Sequence, residues 1–250
     1  MIDLEKQALV EANNLSDLQL NSFYNEVSRL PSFRSPIPAK DAAMPYKFME
    51  DSGCRVTETI HVKKQDINFN TRILTVTHPK SETTCDCSVW KYRDLVSRIR
   101  VLDSSDPNCP KCHGKGKWKK PQKTTITPRF LFELKQYCEP LKDDQLLFPI
   151  HRKTLWQWGK KAGYLAGINI FQQKEEKLIE GIFLHLFRAL CSKRTLRDAK
   201  DDPYKDQIVA CKLRHSYQTV TDRYTKIDIN YLWSWEERVY NLTNSKEPLF

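Results

Sequence analysis

Five side chains in this sequence have the chemistry to break a phosphodiester. Tyr224 offers a phenol and His215, nine residues earlier, an imidazole; His185 and Arg188 fall in H-L-F-R, and Arg55 in S-G-C-R-V-T-E. A phenol with a pKa of about 10 is a poor nucleophile until a neighbour takes its proton or stabilises its charge. In-line attack at phosphorus builds negative charge on the non-bridging oxygens. Guanidinium groups suit that charge, because they stay cationic and can bond two oxygens at once. Phosphoryl transfer depends mostly on positioning and electrostatic stabilisation. Such a site therefore needs two arginines, histidine donors, the tyrosine, and an acid for the departing 5′ oxygen.

A second set of residues has metal chemistry. Cys85 and Cys87 form C-D-C, and Cys109 and Cys112 form C-P-K-C. Two close thiol pairs at the ends of one loop can surround Zn²⁺ tetrahedrally, and four protein ligands leave no open coordination position, so the expected ion is structural. His113, beside Cys112, is an alternative ligand. Just beyond, Lys115, Lys117, Lys119, Lys120 and Lys123 surround Trp118. That cationic run suits a phosphate backbone irrespective of base sequence.

The elements that must position these groups follow from periodicity and punctuation. Residues 1–38 read as short helices and a linker: Ser16 with Gln19 fits a capping box, Leu18, Phe23, Val27 and Leu30 recur at helical spacing, and Pro31–Pro38 is the break. From Ala39 a helical segment runs to Gly53, and a second follows through Val56, Ile60 and Val62. Asp66–Asn70 reads as a turn and Arg72–Thr77 as a strand, with Thr124–Thr127 as its returning partner. Between those strands lies an insertion, residues 81–122. Within it, Val89, Tyr92, Val96 and Ile99 fit one face of a helix whose remainder carries Lys91, Arg93, Arg98 and Arg100. Thr127 and Pro128 open a helix through Leu131, Leu134 and Cys138. Another starts near Thr154 with Leu155, Trp158, Ala162 and Leu165. His185 and Arg188, three apart, share a face if their segment is helical. Residues 227–243 read as an amphipathic helix with Leu232, Trp233, Trp235, Val239 and Tyr240, suited to packing on its own domain or to docking on a neighbour. The expected class is α+β, mainly helical, with a small antiparallel sheet.

Taken together and in this order, the motifs resemble those of the tyrosine recombinase (phage integrase, Xer-like) family over about residues 40–235. S-G-C-R-V-T-E looks like its first arginine box, H-L-F-R like its second, and L-R-H-S with T-V-T-D-R-Y-T like its third box and nucleophile. The resemblance implies a catalytic domain spanning residues 39–250, the zinc-binding insertion lying in its β-hairpin. It also implies catalytic roles for Arg55, His185, Arg188, His215 and Tyr224. A hairpin lysine acts as the acid, placed at Lys80, with Lys115 or Lys117 as alternatives because the insertion splits the hairpin. The implied activity is site-specific cleavage and rejoining of double-stranded DNA through a 3′-phosphotyrosyl link, without ATP or Mg²⁺. The implied assembly is a homotetramer on paired sites. The chain departs from the family at Arg214, where glycine usually precedes the histidine. About forty residues before the catalytic part are also too few for the usual core-binding domain. A type IB topoisomerase shares the chemistry, and a non-catalytic zinc-containing DNA-binding protein is the reading from another class.

Composition agrees with a polyanionic partner. The 250 residues carry 41 Lys and Arg against 31 Asp and Glu, a net charge of +10, with an isoelectric point near 9.1; such a balance favours nucleic acid without specifying it. No apolar run is long enough to cross a membrane, and M-I-D-L-E-K is no signal peptide. The expected location is cytoplasmic and nucleoid-associated, where eight cysteines are thiols or metal ligands rather than disulfides.

Overall fold

Gly53, the stop expected after the second helical stretch, takes a left-handed conformation with φ +63, and the elements around it form the frame of the site. The computed structural model describes residues 15–30, 35–79, 82–94, 99–168, 176–214 and 227–244. The chain forms two units, one from residues 1–76 and 123–250, the other from residues 77–122.

In the larger unit, helix α1 (Asp17–Val27) begins at Ser16, whose Oγ accepts the Gln19 N–H while Gln19 Oε1 accepts the Ser16 N–H, both at 3.2 Å. It buries Leu20, Phe23 and Val27. Leu18 instead faces out at 79% exposure, since it lies on the polar side once Phe23 and Val27 set the buried stripe. Helix α2 (Met44–Ser52) starts with Pro45 in its first turn and ends at Gly53. The short helix α3 (Val56–Thr59) follows, with Arg55 as its N-cap.

A three-stranded sheet comes next in the order β1 (Ile67–Asn68), β2 (Ile73–Val76), β7 (Gln122–Thr125). Strand β1 pairs antiparallel with β2, so the expected turn at Asp66–Asn70 is half strand. The reversal itself is made by Asn68, whose Oδ1 accepts the N–H groups of Asn70 and Thr71 at 3.0 Å. Strand β7 is the expected partner of β2.

The rest of the larger unit is helical: α4 (Pro128–Cys138), α5 (Arg152–Leu165), α6 (Glu176–Asp198), α7 (Lys205–Leu213) and α8 (Ile229–Asn244). Helix α4 buries Phe130, Leu134 and Cys138, and α5 buries Leu155 and Ala162. Leu165, expected in the core, is 52% exposed near the helix end. Phe23, Tyr46 and Phe187 lock α1, α2 and α6 together, with ring centroids 5.2–5.3 Å apart. Tyr46 Oη donates to the Leu155 carbonyl at 2.6 Å, satisfying a phenol in an otherwise apolar centre. A smaller apolar cluster joins α7 to α8 through Ala199, Ile208, Ile227, Leu232 and Trp235.

The smaller unit holds β3 (Thr83–Thr84) paired antiparallel with β6 (Lys117–Trp118), and β4 (Ser88–Asp94) paired antiparallel with β5 (Ile99–Ser105). The helix expected through Val89 and Tyr92 is therefore a strand. Val89, Tyr92 and Ile99 do fit helical spacing, but Trp90–Arg93 also alternates, and β-branched or aromatic residues occur on both arms. Pairing with β5 supplies the backbone bonds that a lone helix would have made internally. No described helix is long and apolar enough to cross a membrane.

Candidate phosphate site and candidate metal centre

Arg55, Arg188 and Arg214 converge on the corner where α2 meets α3. Glu58 lies at the third position of α3 and bonds back to its start, its Oε2 accepting the Arg55 N–H at 2.8 Å; its Oε1 meets the Arg55 guanidinium at 3.2 Å. Arg188, inside α6, points its fork at the backbone: one terminal nitrogen donates to the Gly53 carbonyl, the other to the Leu213 carbonyl at 2.5 Å. A Cβ at residue 53 would lie 2.7 Å from Leu213 Cδ2, so that side chain would have to shift. The left-handed backbone, φ +63, together with that close approach favours glycine there.

Arg188 is 5% exposed. Burial, then the neighbouring Arg55 and Arg214, lower its pKa to about 10, so it stays a cation near neutrality while feeling two like charges. For Glu58, burial works upward, but Arg214, the Arg55 N–H and the Arg55 guanidinium bring its pKa below the ordinary carboxylate value. The Nε atoms of Arg55 and Arg214 are buried and have no hydrogen-bond partner among the described residues. Three guanidinia against one carboxylate leave the corner with a net positive charge.

Of the other expected catalytic residues, His185 sits on α6 one turn before Arg188 and is half-buried. Lys80, His215 and Tyr224 lie outside the described residues. Their neighbours are described on either side: Arg214 ends α7, and Ile227 is buried in the α7–α8 cluster. A separate hollow of about 410 Å³ is lined by Lys47, Arg129 and Arg194 against Glu50, Asp51 and Glu133. Its charges balance, so it lacks the sign needed for a polyanion.

Helix α8 is fastened by a buried charge network. Glu236 Oε1 accepts from Lys212 Nζ and Thr125 Oγ1, both at 2.7 Å, and its Oε2 lies 3.0 Å from Arg72. Arg72 also pairs with Glu237 at 2.7 Å. For Lys212, burial works against the charge, but Glu236 and Asp51 more than offset it and raise the pKa. The helix seats Leu232 and Trp235 on its own unit and leaves Trp233 36% exposed.

In the smaller unit, the Sγ atoms of Cys85, Cys87, Cys109 and Cys112 all lie within 4.8 Å of one another. The contacts Cys85–Cys109, Cys85–Cys87 and Cys87–Cys112 measure 3.6, 3.5 and 3.4 Å. A tetrahedral zinc at about 2.3 Å from each sulfur sets them about 3.8 Å apart, so the cluster has room for a metal ion. The N–H groups of Cys112 and Lys111 point at Cys109 and lower its pKa to about 7; burial and the hydrogen bond to Cys112 push Cys87 up to about 12. His113 is exposed in a left-handed turn, φ +49, and is not among the clustered ligands.

Lys115, Lys117, Lys119 and Lys120 are all exposed. Lys117 Nζ rests 4.9 Å from the Trp90 ring centre, and Lys111 Nζ lies 5.5 Å from that of Trp118. These cation–π contacts stiffen part of the run without hiding its charge.

Arg214, marked in the sequence only as a departure from the expected glycine, is the most consequential residue of the corner that was given no role there. Its signal was present as an arginine where a helix ends and glycine is favoured. No protein-family model matches the chain, and no curated protein is significantly similar to it.

Proposed function

We propose that the chain cleaves and rejoins DNA strands through a phosphotyrosyl intermediate, as the resemblance to tyrosine recombinases implies. The observation that supports this reading best is the convergence of Arg55 and Arg188 from separate elements onto one corner, with residue 215 next in the chain after the cluster's third arginine. Tyr224 Oη attacks the scissile phosphorus, a P–O bond forms to the phenol, and the bond to the 5′ oxygen breaks. Arg55, Arg188 and His215 bear the charge that develops on the non-bridging oxygens, while His185 orients the phosphate or takes the phenolic proton. A lysine, at 80, 115 or 117, gives a proton to the departing oxygen. Reversal by a second 5′ hydroxyl joins the strands, so the phosphodiester's energy is kept in the covalent link and no nucleotide is consumed. A zinc ion held by the four cysteines supplies structure, and the exposed lysines of the smaller unit hold the DNA backbone. Four copies on paired sites form the working assembly.

Covalent trapping on nicked duplexes drawn from random and genomic DNA tests this. Wild-type protein should give adducts stable to denaturant and Tyr224→Phe none. Adducts that persist in Tyr224→Phe remove that phenol from the role. Absence of adducts from the wild type on every DNA leaves a non-catalytic, metal-containing DNA-binding protein. Relaxation of supercoils without recombinant products marks a topoisomerase.

A further inference from the structure

Arg214 stands in a left-handed conformation, φ +57 and ψ +38, at the C-cap of α7. A residue with a Cβ gives up roughly 1 kcal/mol there relative to its usual backbone, and glycine is the ordinary occupant. The side chain must therefore be kept for what it contacts. It is 3% exposed and its terminal nitrogens reach Glu58 Oε2 at 2.7 Å and the carbonyls of Ser52 and Gly53 at 3.3 Å. The same Glu58 meets the Arg55 guanidinium only at the longer 3.2 Å.

We infer that Arg214 is a positioning residue that neutralises Glu58 and so leaves the Arg55 guanidinium available to a phosphate, beside the buried charge of Arg188. The charges decide the matter. Three guanidinia and one carboxylate leave +2 at the corner. With glycine at 214 the balance falls to +1, and Arg55 becomes the nearest partner of an otherwise unpaired negative charge. A phosphate would then compete with a buried carboxylate for the same guanidinium, in a setting where such pairs are strong. Arg214 itself is too buried to touch DNA and acts through Glu58. The Arg55 side chain is 22% exposed, so part of it, unlike Arg214, can be reached by a phosphate.

The inference rests on reading the corner as a phosphate site, and its test separates the two. Binding of inorganic phosphate to the full chain is measured by calorimetry for wild type, Arg214→Gly, Arg214→Lys, and Arg214→Gly combined with Glu58→Gln. Arg214→Gly should weaken phosphate about tenfold or more, the scale of one charge-assisted hydrogen bond. Arg214→Lys, which keeps the charge but cannot span Glu58 and two carbonyls, should fall between. Adding Glu58→Gln to Arg214→Gly restores +2 and should recover most of the loss, which a merely structural role would not do. If Arg214→Gly does not fold, Arg214→Lys with and without Glu58→Gln makes the same comparison. Wild-type affinity in the folded single variants, or no recovery in the double, overturns the inference even if covalent adducts form. The expected pattern without adducts supports it while sinking strand cleavage.

Discussion

Gly53 shows how much can depend on one carbonyl. It accepts from Arg188 and Arg214, so two cations from different helices are held by main chain that a side-chain substitution cannot remove. Arg188→Lys should therefore keep the charge yet lose the two-carbonyl grip. The expected effect is about a hundredfold or greater slowing of adduct formation at saturating DNA, of the order seen when one transition-state donor is lost; single-turnover trapping reads it. Glu58 gives a pH prediction. Its folded pKa is depressed, so its contribution is present above the unfolded value of about 4.3 and fades as pH falls through the folded pKa. Urea unfolding should find Glu58→Gln weaker than wild type at neutral pH, the gap narrowing as the solution is acidified below that unfolded value. Gly53 was legible as a helix stop, a local signal, and Arg55 and Glu58 as members of one short motif, whereas the capping of α3 by Arg55 and Glu58 was not read. The grip of Arg188 on residues 53 and 213 was not, since it depends on contacts far apart in the chain.

At the scale of elements, helix α8 was recognisable from its apolar period, whereas its fastening was hidden. Nothing in the sequence pairs Glu236 with Lys212 and Arg72; tertiary packing does. Arg72 keeps Glu237 when the acid is removed, but the buried Lys212 loses its ion-pair partner. Glu236→Ala should cost about 3–5 kcal/mol, read as a lower denaturant midpoint. Truncation after Lys226 exposes the same charges and is first a folding lesion, so it is no clean probe of assembly. The hairpin β4–β5 failed sequence reading for a related reason: short apolar runs fit both periods, and the choice is made by a partner strand and by cysteine knuckles on either side. Cys109→Ser should abolish stoichiometric zinc in the purified chain and raise amide exchange in residues 99–116, measured by mass spectrometry.

On the scale of the whole molecule, the positive balance is unevenly placed. Residues 111–123 contain six lysines and no acid, and those at 115, 117, 119 and 120 are exposed. If they track a DNA backbone, replacing these four by alanine should flatten the dependence of log affinity on log salt by up to about 0.9 for each phosphate no longer neutralised. Fluorescence anisotropy across a salt series measures this, and an unchanged slope would place the DNA elsewhere. Composition shows the positive excess, while only the fold separates this cationic run from the charge-balanced hollow in the larger unit.

The carbonyl anchorage of Arg188 bears on the thermodynamics of the proposed binding of DNA. A long cationic side chain ordinarily surrenders up to about 2 kcal/mol of rotamer freedom when it is immobilised on a ligand. Here Arg188 is immobilised when the chain folds, before any ligand approaches. If the corner takes a DNA phosphate as proposed, ordering of that side chain should add little to the entropy of association, and the field on the phosphate is oriented beforehand.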